Sequence, residues 1–204
     1  SKAYMGTLNL KSKTDALEAK GLAQLGLERR FDRWEPPCKE MYALKSLCRE
    51  RVMLIEEKNM ISNRLHAELS KHEPQESIIS RLKERIAFIN GQISATEKEL
   101  SEKTEEHEVL KSKIENLTEL KGLGMLTVVS VVSETDGFAL FRNRAQLTSY
   151  AGYDVVERQS GSSVKGKTRI SRKGNRYIRR ALHMPSMSVV RYNDEFKNLY
   201  ERVT

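Results

Sequence analysis

Through the middle of the chain, one set of positions recurs at alternating spacings of three and four. Ile79, Leu82, Ile86, Ile89, Ile93, Thr96, Leu100, Lys103, His107, Leu110, Ile114 and Leu117 follow one another without a slip. Nine of these twelve are apolar over nearly six heptads, the seam of a coiled coil. The seam weakens at Thr96, Lys103 and His107. Upstream, from about Met41 to Ser70, a second helix is predicted from Leu44, Leu47, Leu54, Ile61 and Leu65, again at multiples of three and four. Between them Lys71-His72-Glu73-Pro74-Gln75 carries the proline of a helix–helix turn. Two arrangements fit this pattern: an antiparallel hairpin within the chain, or pairing of the longer helix with another copy.

On either side the pattern changes. A helical piece is predicted over Lys13–Leu25 and is closed by Trp34-Glu35-Pro36-Pro37, because two prolines cannot continue a helix. From Leu120 the chain reads as compact. Leu120 to Thr127 leads into the apolar run Val128–Val132, Phe141–Tyr150 reads as a helix, and Arg176–Tyr192 reads as another with Ile178, Ala181, Leu182 and Met184 inward. Three parts result: 1–37, an arm over 38–118, and 119–204. The chain opens at Ser1 without an initiator Met and closes at Thr204 just after a helical run, so it reads as a fragment at both ends.

Composition supports a composite rather than one large core. Of 204 residues, 38% are apolar, 31% charged and 6% aromatic, the balance of a long solvated helical part beside a smaller compact part. Cys38 and Cys48 match no metal spacing and read as reduced thiols of a cytoplasmic protein. No apolar run reaches membrane-span length and no signal-peptide core is present at Ser1, so no membrane partner is expected. Charge is distributed unevenly. Residues 40–120 hold 16 acidic and 13 basic residues, a poor nucleic-acid surface, while the whole chain is at +8. The excess sits in one segment, with Arg158, Lys165, Lys167, Arg169, Arg172, Lys173, Arg176, Arg179 and Arg180 and no acid among them. Cations of this density, with glycines and hydroxyls between them, suit a phosphodiester backbone.

Several residues are candidates for chemistry. Gly122-x-Gly124 between helical segments is similar to a helix-hairpin-helix turn, in which exposed N–H groups at a helix start meet a DNA phosphate. Asp15 and Glu18, three apart on a helix, project from one face and have the oxygen chemistry of a Mg²⁺ site, though acidic pairs at this spacing are usually solvated. Ser160 lies among cations that would stabilise the transition state of attack on a phosphodiester. The competing reading makes Ser160, Ser162 and Ser163 simple hydrogen-bonding loop residues. Tyr153 and Tyr177 are rival nucleophiles, with Tyr177 better explained by packing within a helix. His66, His72, His107 and His183 form no metal-ligand spacing.

Taken together, these motifs resemble one family. Lys11 to Lys20, containing Lys13-Thr14-Asp15-Ala16-Leu17-Glu18-Ala19, resembles the K-T-D-x-x-D-A signature of insertion-sequence transposases of the IS-110/IS-1111 group. Gly122 to Thr127, Leu147 to Gly152 and Gln159 to Arg180 resemble that group's C-terminal transposase domain. The resemblance implies a mainly α-helical chain: a remnant of an RNase H-like (RuvC-like) domain, a coiled-coil arm, and a helical domain bearing a serine nucleophile. It implies a recombinase that moves its element by strand exchange, guided by a structured bridge RNA, with Mg²⁺ held by a DEDD acidic set. Asp15 then matches the third acidic position, and Glu18 stands at the fourth, where Asp is usual. Ser160 matches the nucleophile, and a homo-oligomer is implied. The first two acids of the set would precede Ser1, so the chain alone is expected to bind DNA without cleaving it. A non-catalytic nucleic-acid-binding protein that dimerises through the coiled coil, or a degenerate transposase remnant, is the alternative.

With about five of the nine cations on phosphates, the slope of log affinity for duplex DNA against log salt should be roughly −4 to −5. A slope near zero in a salt titration would defeat the basic-segment reading.

Overall fold

The computed structural model describes residues 2–7, 14–30, 36–156, 159–160, 164–165 and 168–203. It divides into two compact units, 1–36 and 37–204, and among the described residues it is mainly helical.

In the first unit, α1 (Lys2–Thr7) packs on α2 (Asp15–Glu28). Thr14 starts α2 as its N-cap, with Oγ1 accepting from the Leu17 N–H at 3.4 Å. Gly21 and Leu25 are buried. The far end of α2 is tied to α1 by the Tyr4 hydroxyl, which donates to Glu28 at 2.7 Å.

The second unit opens with two long helices, α3 (Lys39–Leu69) and α4 (Glu76–Glu105), packed along their length as an antiparallel hairpin. The sequence left the pairing open, and the chain pairs with itself. Pro74 stands outside α4, next to its N-cap Gln75, and the turn is closed by Glu68. That carboxylate accepts from Lys71 at 2.6 Å and from the Gln75 N–H at 3.2 Å, and the Lys71 bond holds its pKa below the ordinary carboxylate value. Ile61, Leu82 and Ile89 form the hairpin's inner cluster, flanked by Leu54, Leu65, Ile86 and Ile93. Across it, Arg51 Nε meets Glu97 at 2.6 Å and Arg85 meets Glu57 at 3.6 Å.

The predicted seam does not run on as one helix. It breaks where its polar positions fall: α4 ends at Glu105, and His107 is the extended N-cap of α5 (Glu108–Thr118). Before the break the buried stripe slides from Lys103, which is only partly covered, to Thr104, which is buried. A polar residue gains little in an apolar groove, so the seam is weakest at these positions. The chain turns instead, and Leu110 and Ile114 enter a second core. That core joins Leu44 and Cys48 of α3 and Leu100 of α4 to Val128, Val129 and Val132 of α6 (Met125–Glu134). The base of the arm and the C-terminal helices thus share one apolar centre.

Beyond α6 come α7 (Arg144–Ala151), a basic β-hairpin, α8 (Arg176–Tyr192) and α9 (Asp194–Val203). α7 begins later than the predicted Phe141, because Asn143 caps it by accepting from the Gln146 N–H at 3.0 Å. α8 packs on α6 and α9 on α8. Pro185 lies within α8. No helix of the described residues is long and apolar enough to cross a membrane.

Replacing the fully buried Ile61 by Ala should cost about 2–5 kcal/mol, read as a lowered urea midpoint. The neighbouring exposed Met60→Ala should stay within about 0.5 kcal/mol.

Candidate nucleic-acid interface

The basic segment is built as an antiparallel hairpin between α7 and α8. At its root β1 (Val155–Val156) pairs with β4 (Arg169–Ile170), and further out β2 (Gln159–Ser160) pairs with β3 (Val164–Lys165), with Ser160 opposite Val164. Two residues separate β1 from β2 and three separate β3 from β4, so the return side carries one extra residue between the ladders. Arg158 and Lys167, and the side chains of Ser160 and Lys165, lie outside the described residues.

Two glycines make the root. Gly152 is the left-handed C-cap of α7, at φ +76°, and its N–H donates to the Ser149 carbonyl at 2.9 Å. Gly174 lies so close that an added Cβ would sit 2.4 Å from the Tyr150 carbonyl oxygen and 2.5 Å from Gly152 N. The Arg172 N–H donates to the Gly152 carbonyl at 3.0 Å and that of Ser171 to the Asp154 carbonyl at 2.7 Å.

Below the root lies a carboxylate that sequence reasoning missed. Glu134, at the end of α6, has 1% of its surface exposed. Arg49 of α3 binds it with both arms, at 2.6 and 2.9 Å. Lys45 approaches at 3.5 Å, and the Asn175 side-chain amide donates to it at 2.7 Å. The Tyr150 hydroxyl donates to the Glu134 main-chain carbonyl at 3.3 Å. Asn175 also starts α8, its Oδ1 accepting from the Tyr177 N–H at 2.9 Å and the Ile178 N–H at 3.2 Å. The signal available in the sequence was a lone acid ending an apolar helix, M-L-T-V-V-S-V-V-S-E. Burial opposes the charge on Glu134, but Arg49, Asn175 and Lys45 together outweigh it and hold the carboxyl below its usual range.

The nine cations fall into distinct groups. Arg169, Arg172 and Lys173 are exposed at the root of the hairpin. Arg176 lies over the Tyr177 ring at 4.9 Å, with Arg49 also over that ring at 4.5 Å, and its guanidinium donates to the Tyr177 hydroxyl at 3.2 Å. Arg179 turns inward and donates to the Ala151 carbonyl at 2.7 Å. Arg180 pairs with Glu56 of α3. A cavity of about 450 Å³ between α3, α6 and α8 is lined by Arg51, Tyr177 and Arg180 over an apolar floor that includes Cys48, whose thiol burial pushes its pKa up.

The two glycines of the predicted turn differ. Gly122, at φ +104°, faces α8, where an added Cβ would stand 2.8 Å from Val189 N. Gly124 is the exposed N-cap of α6, with open space around it. Asp15 and Glu18 occupy the first turn of α2, the former exposed and the latter half-buried. Their oxygen donors fit a hard divalent ion as part of a set, and among the described residues no third ligand joins them. Burial raises the Tyr153 pKa, which disfavours the phenolate that a nucleophile needs.

Residues 114–201 match the family model described as transposase IS116/IS110/IS902 family, and residues 1–74 match a second model described as transposase. Two pilin gene-inverting proteins, from Moraxella bovis and Moraxella lacunata, are each 24% identical to the chain over 188 residues. The matches cover 92% of this chain and 56% of those proteins, so the chain spans about half the length of the curated relatives it matches.

The lowered Glu134 pKa fixes the sign of a pH effect. Its stabilisation is complete above the ordinary carboxylate pKa and is lost as pH falls through the lower folded value. Glu134→Gln should therefore be less stable by about 1–3 kcal/mol at pH 7, with the gap to wild type closing in acid. Urea unfolding at a series of pH values checks this, and parallel curves would refute it.

Proposed function

The chain belongs to the IS116/IS110/IS902 transposase family, and from that premise we propose that it acts in DNA strand exchange, with Ser160 as nucleophile on a hairpin that grips the DNA backbone. The observation that carries this reading is the placement of Ser160 on β2, opposite Val164, on a hairpin whose described root presents Arg169, Arg172 and Lys173 to solvent. Attack by Oγ on phosphorus forms a phosphoserine ester while the bond to the departing sugar oxygen breaks. The serine proton leaves to solvent and the departing oxygen takes one up. One phosphodiester replaces another, so a strand end from elsewhere reverses the step and reseals the backbone in a new connection.

Cations at the root neutralise the phosphate and the extra charge of the transition state. The tyrosines are weaker candidates: burial raises the Tyr153 pKa, and Tyr177 is taken up by packing at the start of α8, where its ring lies against Arg49 and Arg176. Asp15 and Glu18 would hold Mg²⁺, which as a bound ion supplies charge stabilisation at a transferring phosphoryl group. The relatives' name describes inversion of a gene, an outcome of strand exchange between two opposed sites, and a reaction of that class is proposed here. A structured guide RNA, a homo-oligomeric assembly and a cytoplasmic location complete the reading.

In the full-length protein, Ser160→Ala should abolish the denaturant-resistant covalent adduct with a DNA substrate while leaving binding within about threefold, since one neutral hydroxyl contributes little to a charge-driven interface. An adduct that persists in the Ala variant would remove Ser160 from the nucleophile's role.

A further inference from the structure

We propose that Glu134 is a positioning residue for the hairpin that carries Ser160, acting through Asn175, so that arm helix α3 sets the seat of the nucleophile. This rests on the reading of Ser160 as nucleophile, but its geometry is independent of that reading. Both feet of the hairpin stand on the Glu134 cluster. The outgoing foot follows α7, whose Tyr150 hydroxyl donates to the Glu134 carbonyl at 3.3 Å. The return foot ends at Asn175, which reaches three elements at once. Its N–H donates to the Tyr150 carbonyl at 2.7 Å, its side-chain amide donates to Glu134 at 2.7 Å, and its Oδ1 caps α8.

The other side of the carboxylate is held by the fork of Arg49, 85 residues away on α3. A guanidinium fork fixes the direction of a carboxylate as well as its charge. The Glu134 oxygen offered to Asn175 is therefore aimed by the arm. Tyr177, the second residue of α8, lies against the same Arg49 at 4.5 Å, so the start of α8 meets the arm twice. In-line attack on phosphorus is sensitive to such aiming, because a misplacement of about 1 Å costs on the order of a hundredfold in rate.

An amide–acid exchange tests this. In Asn175→Asp the cap on α8 is retained, since Asp caps as well as Asn, but a carboxylate now faces Glu134. In the full-length protein, the single Asn175→Asp change should slow covalent adduct formation about tenfold to a hundredfold at unchanged DNA binding. It should also speed hydrogen exchange at the Ser171 and Arg172 amides. Asn175→Ser, which caps α8 but is too short to reach Glu134, should show the same two changes if the Asp variant folds poorly.

Unaltered amide exchange and an adduct rate within about threefold of wild type in Asn175→Asp or Asn175→Ser would overturn the proposal. A Ser160→Ala protein that still forms the adduct marks failure of the nucleophile reading instead, and the amide-exchange arm then decides the positioning role alone.

Discussion

The base of the arm and the helices that flank the basic hairpin meet on a negative charge placed where water does not reach it. A carboxylate as buried as Glu134 is costly unless its oxygens are fully engaged, and two elements supply the partners: Arg49 and Lys45 from α3, and Asn175 from the start of α8. The cost of leaving it unpaired gives the cluster its authority. α3, α6 and α8 cannot drift apart without exposing a charge mismatch, whereas an apolar contact such as that of Val128 and Leu110 tolerates sliding. The apolar core of α3 to α6 sets how closely the helices approach, and the ionic cluster sets their azimuth.

Much of this was legible from pattern alone. The arm helices, the proline turn and α8 follow from spacing and breakers, because helical periodicity is a local property. The break at His107 was foreshadowed by the polar seam positions Lys103 and His107, though a heptad count cannot say that a chain will turn rather than tolerate them. The ionic cluster was not legible. Glu134 lies 85 residues from Arg49 and 41 from Asn175, and no periodic pattern links them. Likewise Gly122 and Gly124 look alike as letters. Their difference, a left-handed residue pressed on Val189 against an open N-cap, arises only when α8 returns to the turn.

The basic segment shows how far a charge count reaches. Nine cations in a row of acid-free sequence mark a polyanion surface, but folding assigns them different tasks. Arg179 steadies the end of α7 and Arg180 bonds the arm, while Arg169, Arg172 and Lys173 stay in water. The same residue type thus serves as internal mortar and as solvent-exposed charge within a dozen positions. The arm presents the opposite case. Its acids and bases meet across the hairpin as Arg51 with Glu97 and Arg85 with Glu57, so its charges are spent largely on one another.

The crossing of Gly152 and Gly174 has a consequence for how this protein can change over time. With a methyl group excluded at Gly174 by the Tyr150 carbonyl and a side chain disfavoured at Gly152 by its left-handed φ of +76°, the two strands enter and leave through one fixed gate. Insertions and deletions between Val156 and Arg169 alter only what extends beyond that gate, and nothing beneath it must repack.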